Sequence, residues 1–165
     1  MSPDLSVVIP VYNEEENLSL LWQELRQVLE TARIDAEVIF VDDGSQDRSA
    51  EIIRGFREKD PRIRLVRLKA NAGETAANDA GFNAARGRYV VTMDADLQND
   101  PRDLPKFLAA LKDADCVCGS RVHERADHWV RRLSSRIANG VRNWLSNETI
   151  TDAGCTYRAF KRECL

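Results

Sequence analysis

The sequence contains no long apolar run. No stretch of its 165 residues reaches the roughly 18 apolar residues that are needed to cross a bilayer. The first residues, Met1-Ser2-Pro3-Asp4, contain no apolar h-region, so we expect neither a signal peptide nor a transmembrane segment. The chain itself is therefore expected to be soluble.

Cysteine and histidine are scarce, and their spacing matches no common metal site. The cysteines include no C-x-x-C pair and no zinc-ligand spacing, and the histidines form no ligand pattern with them. We therefore expect buried thiols in a protein of a reducing compartment. These residues are Cys116, Cys118, Cys155, Cys164, His123 and His128.

The chain also lacks a large excess of either charge. Its formal net charge is −3, so nothing global indicates a nucleic-acid binder. The two signs are unevenly distributed, however. Residues 13–51 contain eleven acidic and three basic residues, whereas residues 121–142 contain six arginines and two acids. The second half of the chain is therefore predicted to carry a basic face.

Hydrophobic periodicity alternates between strand and helix along almost the whole chain. This alternation predicts right-handed βαβ units and a mostly parallel sheet covered on both faces. We predict an α/β protein with three layers, α/β/α, a Rossmann-like sheet and one domain over residues 1–165. The predicted strands are Leu5–Pro10, Glu37–Asp42, Ile63–Leu68, Tyr89–Met93 and Cys116–Ser120, with an extended segment at Gly154–Phe160. The predicted helices are about Glu16–Ala32 (with Asn13 as N-cap), Arg48–Lys59, Thr75–Ala85, Pro101–Leu111 and Trp129–Leu145. Since no helix stop signal precedes Leu165, we expect the domain to be truncated at that end.

The most informative stretch is Asp94-Ala95-Asp96-Leu97-Gln98, which follows the predicted buried strand Tyr89–Met93. In open α/β sheets, ligands bind at the carboxyl ends of the strands. Two carboxylates this close repel each other unless a positive charge lies between them, and carboxylate and amide oxygens suit a hard divalent cation. The stretch predicts a metal-diphosphate site. The alternative is a solvated turn or a helix cap.

Polar residues also follow the three preceding strands. After the first strand, Tyr12 can stack on a nucleobase and the backbone of Pro10 can reach the base edge; the alternative is a turn with a capping box. After the second strand, Asp42 or Asp43 can accept a base N–H and a ribose hydroxyl. The alternative there is an Asx turn with Gly44 at positive φ. Residues 71–73 after the third strand predict a tight turn near the ligand.

Four motifs in this order resemble family 2 glycosyltransferases of the GT-A fold. They are P-V-Y-N-E (Pro10–Glu14), V-D-D-G-S-x-D (Val41–Asp47), N-A-G (Asn71–Gly73) and D-A-D-L-Q (Asp94–Gln98). Two further segments, Gly119–Arg121 and Asp152–Phe160, are similar to those of polyprenyl-phosphate glycosyltransferases. That group includes dolichol-phosphate mannose synthases and undecaprenyl-phosphate sugar transferases. The cysteine at position 155 resembles the bacterial aminoarabinose transferases more than the mannose synthases.

The resemblance implies a role for each matching residue. The nucleotide would be bound by Pro10, Tyr12, Glu14, Asp42 or Asp43, Asn71, Gly73, Asp94 and Ala95. Asp94 and Asp96 would contact sugar, diphosphate and metal as catalytic residues, with Gln98 completing the metal shell beside Asp96. Arg121 and Arg131, also catalytic, and Ser135 would hold the acceptor phosphate. Glu74 departs from the family, in which a neutral or basic residue often follows the turn.

The predicted helix Trp129–Leu145 independently suits phosphate binding. Arg131, Ser135 and Arg142 lie along one side of its apolar stripe at 100° per residue, and arginine favours bidentate contacts with phosphate. The alternative is a solvated basic face or a contact with an anionic membrane, which is compatible with a lipid acceptor.

These residues predict an inverting transfer of a sugar from a UDP or GDP sugar to a polyprenyl phosphate. Mg²⁺ or Mn²⁺ is the expected cation because the ligands are hard oxygens. A phosphate monoester acceptor needs no general base, since its second pKa is about 6. We expect the full-length protein to act on the cytoplasmic face of a membrane, and a homo-oligomer is compatible with the family. Two alternatives stay open: transfer to a saccharide hydroxyl with Asp152 as base, and a non-catalytic nucleotide-sugar-binding domain.

Overall fold

The computed structural model of the chain describes residues 2–119 and 156–165. One compact unit comprises Met1–Val117 and Tyr157–Leu165, and a second comprises Cys118–Thr156. The fold described below is that of the first unit. Several sequence predictions lie outside the described residues: the helix Trp129–Leu145, and the roles given to Arg121, Arg131, Ser135, Arg142, Asp152 and Cys155.

In the described residues, a six-stranded mixed sheet forms the centre of the fold. Numbered along the chain, its strands begin at Leu5 (β1), Ala36 (β2), Ile63 (β3), Tyr89 (β4), Cys116 (β5) and Arg158 (β6). Their order in the sheet is β3-β2-β1-β4-β6-β5. Strand β1 pairs in parallel with β2 and with β4, and β2 pairs in parallel with β3, whereas β6 runs antiparallel to β4. The mostly parallel sheet predicted from the sequence is confirmed. The strands are β1 Leu5–Val11, β2 Ala36–Asp42, β3 Ile63–Arg67, β4 Tyr89–Thr92, β5 Cys116–Cys118 and β6 Arg158–Lys161.

Helices cover both faces of the sheet, which confirms the three-layer α/β/α prediction. The helices are α1 Leu18–Thr31, α2 Ser49–Lys59, α3 Glu74–Ala84 and α4 Leu104–Ala110, the last preceded by a 3-10 turn at Pro101–Asp103. Helix α3 packs on one face against a cluster that includes Val8, Ile39 and Val41. On the other face Phe40 contacts Phe56 of α2, and Phe56 in turn contacts Trp22 of α1, both with ring centroids 6.3 Å apart.

The central strands are buried on both faces, which explains their almost continuous apolar sequence. All seven residues of β2 are buried. Among the residues that the structure describes, no helix is both long enough and apolar enough to span a membrane.

A buried polar network ties the strands together at their amino ends. Ser6 Oγ donates to Glu37 Oε1 at 2.7 Å, and Arg64 Nη1 donates to Glu37 Oε2 at 2.9 Å. The backbone N–H of Arg86 also donates to Glu37 Oε1, at 2.7 Å. Burial raises the pKa of Glu37, but these hydrogen bonds outweigh it and leave the pKa below its ordinary value. Glu37 is therefore a charged anchor for β1, β2, β3 and the turn before β4.

Two sequence predictions are wrong. Asn13 does not cap α1, because that helix begins at Leu18 with Asn17 at the N-cap position. The thiols of Cys116, Cys118 and Cys164 are exposed rather than buried. Cys116 and Cys118 lie two residues apart on β5, so their side chains point to the same face of the strand, and that face is exposed.

Candidate active site at the carboxyl edge of the sheet

The predicted nucleotide and metal residues follow strands that end at the same edge of the sheet. Val11 is in register with Asp42 in the pair of β1 and β2, and Val8 is in register with Thr92 in the pair of β1 and β4. Because these strands are parallel, the segments after Val11, Asp42 and Thr92 emerge side by side. The sheet thus brings the first, second and fourth motifs to one edge.

The segment after β1 is held to the turn after β2 by two reciprocal hydrogen bonds. Asn13 has a φ of 55°, a left-handed conformation that asparagine adopts more readily than most residues. Its backbone N–H donates to Ser45 Oγ at 3.0 Å, and its Oδ1 accepts from the N–H of Gln46 at 2.8 Å. The asparagine therefore joins two loops.

A second set of bonds extends this connection to the start of α2. The N–H of Glu14 donates to Ser49 Oγ at 2.9 Å, and the N–H of Glu15 donates to Asp47 Oδ2 at 3.1 Å. Asp47 Oδ1 also accepts from the N–H of Ser49 at 2.9 Å. Burial raises the pKa of Asp47, but the hydrogen bonds from Ser49 and Glu15 lower it by more than burial raises it. The pKa of Asp47 is therefore below its ordinary value.

These loops leave the Tyr12 ring open to solvent while they restrain its neighbours. The side chain of Tyr12 is 42% exposed, one of the few large apolar side chains in that state among the described residues. Pro10 and Glu14 are half-buried. Asn17 Nδ2 donates to Glu14 Oε2 at 2.7 Å, so this carboxylate already has one protein partner. An exposed ring on a fixed loop can stack on a planar ligand.

Asp42 is fully buried at the end of β2. Its Oδ1 accepts from the N–H of Ser45 at 3.0 Å. Its Oδ2 lies 2.9 Å from Arg67 Nε, close enough for an ion pair, but the atoms are not aligned for a hydrogen bond, and Oδ2 accepts none. Asp42 therefore keeps one oxygen whose hydrogen-bonding capacity is unused, covered by a half-exposed arginine.

Asp43, by contrast, uses both carboxylate oxygens within the protein. Oδ1 accepts from the N–H of Ala72 at 2.7 Å and Oδ2 accepts from the N–H of Gly73 at 2.9 Å. Successive residues of an extended chain point to opposite faces, which explains why adjacent aspartates have different partners. Asp43 fixes the 71–73 turn, where Gly73 has a φ of 91°.

Gly44 lets these two loops approach each other. Its φ is 71°, and a Cβ atom there would lie 2.7 Å from the backbone atoms Ala70 C and Asn71 N. No side chain fits at that separation, so glycine is required at this position. The positive φ that the alternative interpretation of this segment, an Asx turn, predicts for Gly44 is confirmed.

The acidic loop begins where the pairing of β4 with β1 ends. The N–H of Met93 still donates to Val8 O at 3.0 Å, whereas that of Asp94 donates to Asn99 Oδ1 at 2.7 Å. Ala95 is buried, Asp94 is half-buried, and Asp96 and Gln98 are exposed. The exposed end of the loop thus presents a carboxylate and an amide.

The backbone between these two side chains is turned sharply. Leu97 has a φ of 64°, which is rare for a bulky residue, and Asp96 Oδ1 accepts from the N–H of Gln98 at 3.0 Å. Both features place Asp96 and Gln98 on one short turn.

The donor set of this loop fits a hard cation that is shared with a phosphate ligand. In the described part of the chain, no group of three or more His, Cys, Asp or Glu side chains could hold a metal alone. Mg²⁺ commonly binds through one or two carboxylates together with substrate phosphates rather than in a full protein cage. Asp94, Asp96 and Gln98 provide that kind of partial ligand set.

Sequence reasoning missed two residues at this edge. Arg67 is the last residue of β3 and is in register with Asp42 at the end of β2. A basic residue near the end of one predicted strand and an acidic residue at the end of the preceding strand were the sequence signal for this contact. Asn99 follows the acidic motif directly and is only 4% exposed. Its burial could not be read from the sequence, because it depends on how the loop folds back.

The fold and the grouping of these motifs at one edge are features of a glycosyltransferase domain, and comparison with known proteins gives the same class. The glycosyl transferase family 2 model matches residues 6–165. The chain therefore belongs to glycosyl transferase family 2.

Curated relatives narrow the comparison. The chain is 40% identical over 158 residues to an undecaprenyl-phosphate 4-deoxy-4-formamido-L-arabinose transferase of Edwardsiella ictaluri, which covers 95% of this chain and 49% of the relative. It is 37% identical to the protein of the same name from Proteus mirabilis, covering 98% of this chain and 50% of that one. The chain thus spans about half the length of the curated relatives it matches.

Solved structures confirm the GT-A glycosyltransferase fold. The mannosyltransferase PcManGT of Pyrobaculum calidifontis, in complex with GDP-Man and Mn²⁺, matches 99% of this chain and 46% of its own with a TM-score of 0.73 and 24% identity. Glucosyl-3-phosphoglycerate synthase of Mycobacterium tuberculosis, in complex with UDP, matches 99% of this chain and 58% of its own with a TM-score of 0.72 and 23% identity.

Proposed function

We propose that this protein transfers a sugar from a nucleotide-diphosphate sugar to a polyprenyl phosphate of the undecaprenyl type. The observation that carries the proposal is the match of nearly the whole chain to transferases named for that acceptor. The arrangement of the carboxyl edge supports it, because the acidic loop adjoins segments that suit a nucleoside.

Asp42 is the better candidate for contact with the nucleobase. Asp43 already accepts two backbone N–H groups, whereas Asp42 Oδ2 accepts none. Asp42 is buried under Arg67, so the arginine must shift for a base to reach this oxygen. Tyr12 is available for stacking, while Asn71 and Gly73 would line the turn beside the nucleotide.

The same geometry favours uracil over guanine. Guanine presents two adjacent N–H donors and pairs best with a carboxylate that turns both oxygens toward it. Asp42 Oδ1 is already bonded to Ser45, which leaves a single oxygen for a single ring N–H. Uracil has a single ring N–H, which lies between two carbonyl groups. The N–H would donate to Asp42 Oδ2, and the shifted Arg67 would donate to one of the carbonyl oxygens.

Asp94, Asp96 and Gln98 are the residues that would hold Mg²⁺ or Mn²⁺ with the diphosphate. When bound, the cation neutralises the charge that develops on the departing nucleoside diphosphate. The half-buried Asp94 and the exposed Asp96 would orient the sugar end of the donor, and Ala95 would lie against the nucleotide.

The acceptor phosphate is assigned to Arg121, Arg131 and Ser135, which lie outside the described residues. A phosphate monoester with a second pKa of about 6 is already an anion near pH 7, so the protein has to position it rather than deprotonate it. In-line attack on the anomeric carbon would invert its configuration. A lipid acceptor implies that the full-length protein works at a membrane surface, and we propose the cytoplasmic face.

The direct test is a transfer assay on the full-length protein with Mn²⁺, a panel of UDP and GDP sugars, and two acceptors. We expect product with undecaprenyl phosphate and a UDP sugar, and none with a free saccharide. Asp152→Asn distinguishes the acceptors, because it should leave transfer to the lipid phosphate intact. Near-total loss of activity in that variant would favour a hydroxyl acceptor with Asp152 as base. Binding without product would indicate a non-catalytic domain.

A further inference from the structure

Asn99 holds the first residue of the acidic loop. Its Oδ1 accepts from the backbone N–H of Asp94 at 2.7 Å, one residue beyond the last ladder bond, which joins Met93 to Val8. The side chain therefore continues the pairing that the neighbouring strand no longer supplies. It closes the loop that contains both carboxylates and Gln98.

The residue after Asn99 is anchored to the rest of the sheet. Tyr157 Oη donates to the backbone carbonyl of Asp100 at 3.1 Å, and the Tyr157 ring packs edge-on against Phe107 with centroids 4.6 Å apart. Asp100 also accepts from the N–H of Arg102 at 2.9 Å and so caps the following 3-10 turn. The backbone next to Asn99 is thus held in place, and the Asn99 side chain in turn holds the backbone of Asp94.

The amide nitrogen of Asn99 is costly to bury and is nevertheless retained. Asn99 is 4% exposed, and no hydrogen-bond acceptor in the described part of the chain reaches its Nδ2. A buried donor without a partner is rare in folded proteins and points to a role other than stability. An apolar or smaller residue would avoid this cost but would lose the contact with Asp94.

We propose that Asn99 is a positioning residue for the cation and diphosphate site, acting through the backbone of Asp94. This inference rests on the proposed function. Asn99 itself would contact neither the cation nor the nucleotide. Its carbonyl oxygen fixes the loop whose carboxylates would contact them. Residues that orient metal ligands typically contribute 10- to 100-fold to metal affinity.

The first test measures the loop without any ligand. In Asn99→Ala the amide hydrogen of Asp94 should exchange about tenfold faster than in the wild-type protein. Asn99→Asp keeps an oxygen that can accept from Asp94 and should retain the protection. If Asn99→Ala does not fold, Asn99→Ser, which also lacks the carbonyl oxygen, takes its place. Unchanged protection of the Asp94 amide in the variant without the carbonyl would overturn the inference. The inference would also be overturned if Asn99→Asp lost as much protection of this amide as Asn99→Ala.

The second test measures UDP binding by calorimetry, with Mn²⁺ and with a chelator. Asn99→Ala should weaken binding with Mn²⁺ by about tenfold or more and leave binding in the chelator unchanged. Asn83→Ala is the matched control, because Asn83 is an exposed asparagine whose Nδ2 donates to Asp79 O within α3. Equal affinities for the wild type and Asn99→Ala, or an equal loss in the chelator, would contradict a positioning role. A wild-type protein that binds no UDP with Mn²⁺ would instead overturn the proposed function itself.

Discussion

At the scale of single residues, the two adjacent aspartates at the end of β2, Asp42 and Asp43, have different partners. Asp43 accepts from the N–H groups of Ala72 and Gly73, whereas Asp42 Oδ2 is paired with Arg67 and accepts no hydrogen bond in the described part of the chain. The sequence indicates that one of the pair contacts a nucleoside, but it cannot say which. That choice depends on the direction of each side chain and on a loop almost 30 residues away.

The two aspartates should therefore respond differently to removal of their charge. Asp43→Asn should lower the free energy of unfolding by about 1.5–3 kcal/mol, because the amide keeps only one acceptor oxygen, so one of the two bonds is lost and the other is no longer to a charged group. Asp42→Asn should weaken UDP binding by about tenfold, the effect of losing roughly one hydrogen bond to a charged group. Urea unfolding and calorimetry measure the two effects.

The matched control for both variants is Asp113→Asn, since Asp113 is exposed. It lies two residues before Asp115, whose carbonyl accepts from Lys161 at the amino end of the sheet. Asp113→Asn should change stability by less than about 0.5 kcal/mol. The assignment is wrong if Asp43→Asn proves as stable as this control, or if Asp42→Asn binds UDP as the wild type does.

At the scale of elements, the order of strands and helices follows from periodicity alone. Each apolar run between polar stretches became a strand, and the helical stripes became α1 to α4, with boundaries that moved by one or two residues for most elements. The antiparallel direction of β6 was not predicted. A four-residue strand carries no sequence signal for direction, which is set by how the chain returns to β4.

The contact between the turn after β2 and the 70–73 loop makes Gly44 sensitive to substitution. Gly44→Ala should destabilise the fold by more than about 2 kcal/mol, because a positive φ and a backbone clash add together. Gly55 in α2 is the control, because a Cβ there meets nothing within 4 Å. Gly55→Ala should stabilise the protein by about 0.5–1 kcal/mol. Thermal unfolding of the two variants would contradict this account if they shifted in the same direction.

At the scale of the whole molecule, the two edges of the sheet have separate tasks. The carboxyl edge carries the exposed side chains of Tyr12, Asp96 and Gln98, at which we propose that the ligand binds. The amino edge is closed by the network around Glu37. That network joins three strands and the turn before the fourth, so it contributes to the stability of the sheet rather than to chemistry.

The charge on Glu37 should make this contribution depend on pH. The folded pKa lies below the ordinary value of 4.5, so the stabilisation is fully present above about pH 4.5 and is lost as the pH falls through the folded pKa. Glu37→Gln should lower the free energy of unfolding at pH 7 by about 1.5–3 kcal/mol. The difference in the free energy of unfolding between Glu37→Gln and the wild type should become smaller below pH 4.5.

Urea unfolding between pH 3 and 7 measures that difference, with Glu58→Gln as the control because Glu58 is exposed on α2. A gap between the wild type and Glu37→Gln that stays constant with pH would show that the charge of Glu37 does not contribute.

We propose that a divalent cation and a nucleoside diphosphate bind together at the carboxyl edge. The most direct measurement is anomalous diffraction from crystals grown with Mn²⁺ and UDP. We predict a manganese peak about 2–2.5 Å from an Asp96 oxygen, with the diphosphate on its other side and the uracil near Tyr12 and Asp42. A nucleotide bound elsewhere, with no manganese beside Asp94 or Asp96, would contradict the account.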